Sequence, residues 1–258
     1  MTLNTLLAAL PAALALATLA GPAHALHSPD GQLDVKVEIT PARTLAYSVT
    51  RQGQAVLLAS PLGLELAGAA FTHDLTLAKS SPIKVVSDSY RMAVGKRRTI
   101  AYRANEQVLT VVNAAGQKMD VAFRVSNDGV AFRYVVPAPA TATQTFVSEA
   151  TGFAFAPDAR AFLQPMSVAK TGFARTNPSY EEYYHIDEPV GTPSPMQSGW
   201  VFPALFRSGP TWVALTEANM DGTFHASRLQ AVSSGGVYRI GQPMAQEGVE
   251  GKLLAEVH

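Results

Sequence analysis

Regular alternation of apolar and polar residues is the feature that most constrains how this chain can fold. In LDVKVEIT (residues 33–40) every second residue is apolar, and MDVAFRV (residues 119–125) repeats the pattern. A period of two places all the apolar side chains on one face of a strand, where they can cover a core. Helical spacing is almost absent after residue 25. The sequence therefore predicts an all-β fold.

Turn residues separate these alternating runs. Gln52-Gly53, Gly116 and Asn127-Asp128-Gly129 each lie between two predicted strands. Asp-Gly between alternating runs indicates a hairpin, because Gly accepts the positive φ that such turns need. The sequence contains about fourteen strand candidates, too many for a minimal sandwich of seven strands. Without a repeat of propeller or solenoid length, we expect a large two-sheet β-sandwich.

The N-terminus has the features of a secretory signal. Leu6–Ala20 is an apolar run too short to span a bilayer comfortably, and Ala23-His24-Ala25 is a small-x-small cleavage site. No Lys or Arg precedes the run, which leaves a buried N-terminal helix or a misassigned start as alternatives. We predict a signal peptide over residues 1–25 and a sandwich domain over residues 26–258. The expected location is secreted and periplasmic, which suits a chain without cysteine.

Charge and composition exclude several classes of partner. The 20 basic and 20 acidic residues balance, so nothing indicates nucleic acid binding. No other stretch is apolar enough for a membrane span. The cluster GKRRTIAYR (residues 95–103) is typical of a solvated face or a domain contact more than of a phosphate site. His73, His185 and His225 lack the local spacing of zinc ligands.

Residues 174–200 interrupt the alternation with four prolines and no sustained period. Loops of this length are functional or disordered, and the tyrosines within this one could offer aromatic faces to a sugar. A solvated excursion over one sheet is the alternative. Trp212 lies in an apolar run and is predicted to be a core residue.

A carboxylate follows the apolar run VAL in VALTEANMDGTF (residues 213–224). Acids are rarely buried without a partner. Glu217 therefore either lies at the surface or faces a cation or a ligand. An epimerase would pair it with a histidine acid, and His185 and His225 are candidates without a matching motif.

Four segments, taken in order, resemble the N-terminal domain of glycoside hydrolase family 97. They are LHSPDGQLDVKVEI, PLGLEL, VSNDGVAFRYVVP and FPALFRSGPTWVALTEANMDGTF. The resemblance implies a β-sandwich of the galactose-mutarotase type in a secreted or periplasmic bacterial α-glucosidase or α-galactosidase. It also implies a partner, a (β/α)8 catalytic barrel that follows this domain.

The resemblance further implies that Glu217 is a calcium ligand, with calcium as a cofactor shared between this domain and the barrel. The catalytic carboxylates of the family belong to the barrel, so no catalytic residue is assigned within the 258 residues, and substrate-binding residues remain unassigned. We expect a module that contributes to the pocket for a carbohydrate, an α-glucoside or α-galactoside, and is inactive alone. The alternative is a stand-alone periplasmic carbohydrate-binding or structural β-sandwich protein. EGVEGKLLAEVH (residues 247–258) is expected to form a strand.

Overall fold

The computed structural model describes residues 24–137, 144–167, 183–218 and 226–242. Within these ranges the regular structure consists of strands and one 3₁₀ turn, Ser234–Gly236. The strands are β1 His24–His27, β2 Leu33–Ile39, β3 Leu45–Arg51, β4 Gln54–Leu62, β5 Leu64–Leu66, β6 Ala69–Ala70, β7 Thr76–Ser80, β8 Lys84–Arg91, β9 Thr99–Val112, β10 Lys118–Ser126, β11 Val130–Val135, β12 Phe146–Glu149, β13 Gly152–Ala154, β14 Arg160–Leu163, β15 His185–Pro189, β16 Ala204–Ser208, β17 Thr211–Leu215, β18 Arg228–Leu229 and β19 Val237–Gly241.

The strands pair in antiparallel ladders that build a β-sandwich. Two larger sheets have the orders β1-β2-β3-β4 and β11-β10-β9-β7, and β8 also pairs with β9. A third sheet has the order β15-β14-β16-β17, and two three-stranded sheets have the orders β12-β5-β6 and β13-β19-β18. Across the described ranges, no helix is long and apolar enough to cross a bilayer.

One continuous hydrophobic core joins the sheets. Tyr47 on β3 lies 5.4 Å from Phe132 on β11 and 6.1 Å from Phe123 on β10, measured between ring centroids. Further along the core, Phe155 stacks on Phe206 at 4.1 Å. Both groups of aromatic contacts belong to this one core.

The predicted hairpins and strand faces are confirmed. Residues 33–39 form β2, and Gln52-Gly53, Gly116 and Asn127-Asp128-Gly129 each join two paired strands. The predicted core face of β10 is buried, at Met119, Val121, Phe123 and Val125. The alternation was a reliable guide wherever one face of a strand is buried and the other is solvated.

Two sequence predictions were wrong. The segment 174–200, predicted to be without regular structure, contains β15, which pairs with β14 at the edge of a sheet. Because β15 is largely exposed on both faces, it carries little hydrophobic alternation. Trp212, predicted to be core, is 53% exposed, since the outward face of β17 carries it while Leu215 points inward. Residues 174–182 of that segment and the predicted strand at 247–258 lie outside the described residues.

Candidate functional site

Glu217 lies just beyond the end of β17 and is half-buried. Its carboxylate accepts hydrogen bonds from the backbone N–H of Ser227, at 3.2 Å to Oε1 and 3.0 Å to Oε2. The Ser227 hydroxyl donates a third bond to Oε1, at 2.6 Å. A carboxylate bonded in this way has a fixed orientation, because the two donors of one residue restrain both oxygens.

The position of Ser227 depends on β18, which begins at the next residue. Leu229 and Trp200 exchange backbone hydrogen bonds of 2.9 Å in both directions. Gly199 permits this approach: its φ is +94°, and a Cβ there would lie 2.0 Å from the Leu229 carbonyl oxygen. Only glycine accepts both that φ and that contact. Trp200 is itself fully buried, so the segment that carries the hydrogen-bond donor Ser227 is anchored in the core.

A second carboxylate, Glu149, interacts electrostatically with Glu217. Glu149 ends β12, at the position paired with Leu64 of β5. Burial raises the pKa of Glu149 above its ordinary value, and the negative charge of Glu217 raises it further, while a hydrogen bond from Thr151 opposes the change. The two carboxyl groups therefore lie close enough for the charge of Glu217 to be felt at Glu149.

A half-buried tyrosine fixes the chain beside Glu149. The Tyr134 hydroxyl lies 2.5 Å from the Thr151 hydroxyl, and it accepts a hydrogen bond of 2.9 Å from the Gly63 backbone N–H. Burial raises the pKa of Tyr134 far above its ordinary value, so the phenol stays neutral. Tyr134 comes from VSNDGVAFRYVVP and Gly63 from PLGLEL, so two of the segments that carry the family resemblance meet here.

The donor chemistry of this region suits a hard cation in type but not in number. Calcium takes six to eight oxygen ligands, and carboxylates are the ones it favours. Glu217 and Glu149 supply carboxylate oxygens, and Ser227 occupies part of the hydrogen-bonding capacity of Glu217. No cluster of three or more His, Cys, Asp or Glu residues suited to a metal occurs in the described ranges. A calcium ion at this position would therefore need further oxygen ligands from outside these two carboxylates.

Of the histidines considered from the sequence, His73 and His185 each contact a carboxylate other than Glu217. His73 is exposed and contacts Asp74 at 3.1 Å, and His185 contacts Glu188 at 3.5 Å. His225 falls outside the described residues. Sequence reasoning missed Glu149, although a signal was available. Ser148-Glu149-Ala150 closes one strand as Thr216-Glu217-Ala218 follows another, each a hydroxyl residue, a glutamate and an alanine.

Comparison with known proteins gives a consistent result. The family described as "Glycosyl-hydrolase 97 N-terminal" matches residues 26–253. A probable retaining α-galactosidase of Streptomyces bingchenggensis (strain BCW-1) is 31% identical over 198 residues, which is 76% of this chain and 28% of that protein.

Solved structures agree with this match. The crystal structure of a β-arabinopyranosidase has a TM-score of 0.84 and 36% identity, over 91% of this chain and 37% of that chain. A glycoside hydrolase family 97 enzyme from Pseudoalteromonas sp. strain K8, in complex with panose, has a TM-score of 0.67 and 22% identity, over 84% and 31% of the two chains. The chain thus spans about a third of the length of these relatives. It belongs to the glycosyl-hydrolase 97 N-terminal family.

Proposed function

We propose that this chain is the non-catalytic N-terminal module of a secreted α-glycosidase. In this proposal Glu217 is one ligand of a calcium ion shared with a (β/α)8 catalytic domain, and the same end of the sandwich forms part of the sugar pocket. The observation that carries the proposal is the carboxylate of Glu217, held by three hydrogen bonds from Ser227 at the end of β17.

The electrostatics around Glu217 support a cation. Glu149 adds a second acid to the same region, and the mutual repulsion contributes to the raised pKa of Glu149. Two acids placed together are destabilising unless a proton or a cation intervenes. Calcium would supply positive charge between carboxylates at that position.

The substrate that we propose is a galacto-configured glycoside. Two relatives above 30% identity are a probable retaining α-galactosidase and a β-arabinopyranosidase. A β-L-arabinopyranosyl unit has the ring stereochemistry of an α-D-galactosyl unit without the C6 hydroxymethyl group, so one pocket can accept both. An α-glucoside is the alternative substrate.

Hydrolysis itself is assigned to the catalytic domain. A glycosidase needs two carboxyl groups that flank the scissile bond, about 5–9.5 Å apart according to the stereochemistry. Glu149 and Glu217 are the pair of carboxyl groups that raises the question of a catalytic role. Because Ser227 restrains both oxygens of Glu217, we assign this pair a binding role. Purified chain should therefore not hydrolyse nitrophenyl α-galactoside or α-glucoside. Turnover that disappears in Glu149→Gln would instead make the pair catalytic.

A domain exchange tests the calcium role. In this chimera, residues 26–253 replace the N-terminal domain of the β-arabinopyranosidase. Calorimetry measures its calcium binding, and nitrophenyl α-galactoside and α-glucoside measure its activity. We expect Glu217→Gln to weaken calcium binding and activity together, and the control Glu38→Gln to change neither. Unchanged calcium affinity in Glu217→Gln would refute the ligand role.

The isolated chain provides a second test. With few oxygens of its own, it should bind calcium only in the millimolar range or more weakly, the weak end of protein calcium sites. Micromolar binding by the chain alone would mean that the described residues, or those between them, hold a complete site. Binding of galactosides without calcium and without a catalytic domain would favour the stand-alone carbohydrate-binding protein.

A further inference from the structure

The β8–β9 hairpin extends beyond the sheet to which it belongs. β10 pairs with β9 as far as Ala104, whereas β8 continues to pair with β9 from Ser87↔Arg103 to Arg91↔Thr99. These five residue pairs make a two-stranded ribbon about 17 Å long at the usual rise per residue. We call residues 87–103, with their turn, the arm.

The outer part of the arm lies away from the hydrophobic core, and of its residues only Ile100 and Tyr102, on β9, are half-buried. Every residue from 87 to 99 is exposed. Two-stranded ribbons are marginally stable alone, and this one nevertheless carries apolar side chains at its far end. Val94 is 82% exposed, and Met92 and Tyr90 are also exposed. Exposed apolar groups concentrated in one place generally mark an interaction site.

The arm also concentrates positive charge. It contains one acid, Asp88, and five basic residues, Arg91, Lys96, Arg97, Arg98 and Arg103, which gives a net charge of +4. The chain as a whole is neutral. Lys96, Arg97 and Arg98 follow Val94 after one glycine, and Arg91 precedes Met92, so basic residues flank the apolar tip on both sides in the sequence.

We propose that the arm docks on an anionic lipid surface. In this arrangement Met92 and Val94 enter the boundary between headgroups and acyl chains, and Lys96, Arg97 and Arg98 lie at the lipid phosphates. Apolar side chains flanked by basic residues are the combination that holds peripheral segments at charged interfaces. Tyr90, an amphipathic residue, is placed where the arm would meet the headgroup layer.

Two other binding partners, another protein and a second copy of this chain, fit the arm less well. A stable protein interface buries about 800 Å² on each partner, which is a large area for a two-stranded ribbon of five residue pairs to supply. A second copy of the chain could pair along the outer edge of β8, but two arms of charge +4 would then lie side by side. Like charges placed opposite each other in a ladder are destabilising.

Vesicle sedimentation tests the proposal with the full chain. We expect binding to phosphatidylcholine vesicles containing about one-third phosphatidylglycerol to exceed binding to pure phosphatidylcholine by about tenfold or more, and to fall with salt. The apolar run Leu6–Ala20 carries no basic side chain, so it would add binding to both kinds of vesicle and would not by itself favour the anionic one. Equal binding to both kinds of vesicle, or no binding to either, would overturn the proposal.

Matched variants locate the binding surface. Lys96→Ala/Arg97→Ala/Arg98→Ala, and separately Val94→Asp, should reduce anionic binding about tenfold or more. Arg51→Ala/Lys79→Ala/Lys118→Ala removes the same charge from exposed positions outside the arm and should leave binding within about twofold. Circular dichroism and the thermal midpoint check that each variant is folded. Equal losses of vesicle binding in the two triple variants would mean that net charge alone explains the binding. That result would refute the proposed role of the arm.

Because the chain has no cysteine, a single dye can report insertion. A solvatochromic label on Val94→Cys should shift to the blue on anionic vesicles, and the same label on Ala114→Cys, in the exposed β9–β10 turn, should not. An unshifted label at position 94, on protein that sediments with the vesicles, would exclude insertion of the tip.

Analytical ultracentrifugation without lipid completes the test. A dimer that is abolished by Val94→Asp would assign the arm to self-association instead.

Discussion

Ser227 donates hydrogen bonds to Glu217 from both its backbone and its side chain, across a sequence separation of ten residues. The hydrogen bond from the hydroxyl, at 2.6 Å, is the shortest of the three. This pairing joins the end of β17 to the start of β18 and sets the direction in which the carboxylate can act.

The first prediction concerns this pair. In the chimera described above, Ser227→Ala should weaken calcium binding about 10–100-fold, the usual effect of removing a group that orients a metal ligand. The backbone N–H remains, so the loss should be smaller than for Glu217→Gln. Calorimetry measures both, with Ser234→Ala, at an exposed position, as the control. Wild-type affinity in Ser227→Ala would show that the hydroxyl does not position the ligand.

The raised pKa of Glu149 predicts how stability depends on pH. Burial and Glu217 disfavour the charged form, so the folded protein binds the proton more tightly than the unfolded chain does. The folded state therefore loses stability as pH rises from the ordinary glutamate pKa through the raised one. Glu149→Gln removes this dependence and should stabilise the protein more at pH 7 than at pH 4, as judged by urea midpoints. A larger gain at the acidic pH would contradict the assignment.

Glu106 should show the opposite dependence on pH. Its side chain is 7% exposed and contacts Lys84 Nζ at 2.8 Å and Arg124 Nε at 2.5 Å. Hydrogen bonds from Lys84 and then Arg124 lower its pKa, so its stabilisation is present above the ordinary glutamate pKa and lost as pH falls through the lowered one. Because both cations are largely exposed, Glu106→Gln should cost about 1–2 kcal/mol at neutral pH.

The difference between Glu106→Gln and wild type should vanish in acid, where both side chains are neutral. Asp88→Asn, an exposed acid on β8, serves as the control and should change the free energy of unfolding by less than about 0.5 kcal/mol. A loss in Glu106→Gln that is independent of pH would mean that packing, not charge, explains it.

Export is a separate prediction from the N-terminal sequence. Secreted protein should begin at or near Leu26, as determined by N-terminal sequencing. Cleavage there would remove two residues of β1, His24 and Ala25, and leave Leu26 and His27 paired with Val35 and Asp34. Cytosolic protein that retains Met1 would refute the signal peptide.

The arm should be an early target of trypsin among the described residues. Lys96, Arg97 and Arg98 are exposed in a turn without core contacts, and such turns open to proteases at little energetic cost. Mass spectrometry of a brief digestion should find cleavage after these residues before cleavage after Lys118. The triple alanine variant of the arm should lose this cut and keep the others. First cleavage within β10 would contradict the exposed position of the arm.

The sequence predicted the sandwich because its signals are local. Alternation at residues 119–125 and the turn at Asp128-Gly129 each depend on a few neighbouring residues, and both were confirmed. Strand β15 was missed because an edge strand exposed on both faces needs no alternation. Trp212 was misplaced because an apolar composition does not identify which face of a strand is inward.

The candidate site was only partly predictable. Glu217 could be singled out from its place after an apolar run and from the family resemblance, and its role as a calcium ligand stays a prediction. Its partner Ser227 and its neighbour Glu149 could not, since they lie 10 and 68 residues away in the chain. Long-range contacts of this kind depend on the fold as a whole, which no local pattern encodes.

The unequal burial of the two tryptophans has a practical consequence. Trp200 is 0% exposed and contacts β18 through its backbone, whereas Trp212 is 53% exposed on β17. Iodide should therefore quench the emission of Trp212 and leave that of Trp200 almost untouched. In Trp212→Phe, the remaining emission comes from the interior beside Leu229, so a red shift during denaturation would time the opening of the segment that holds Ser227.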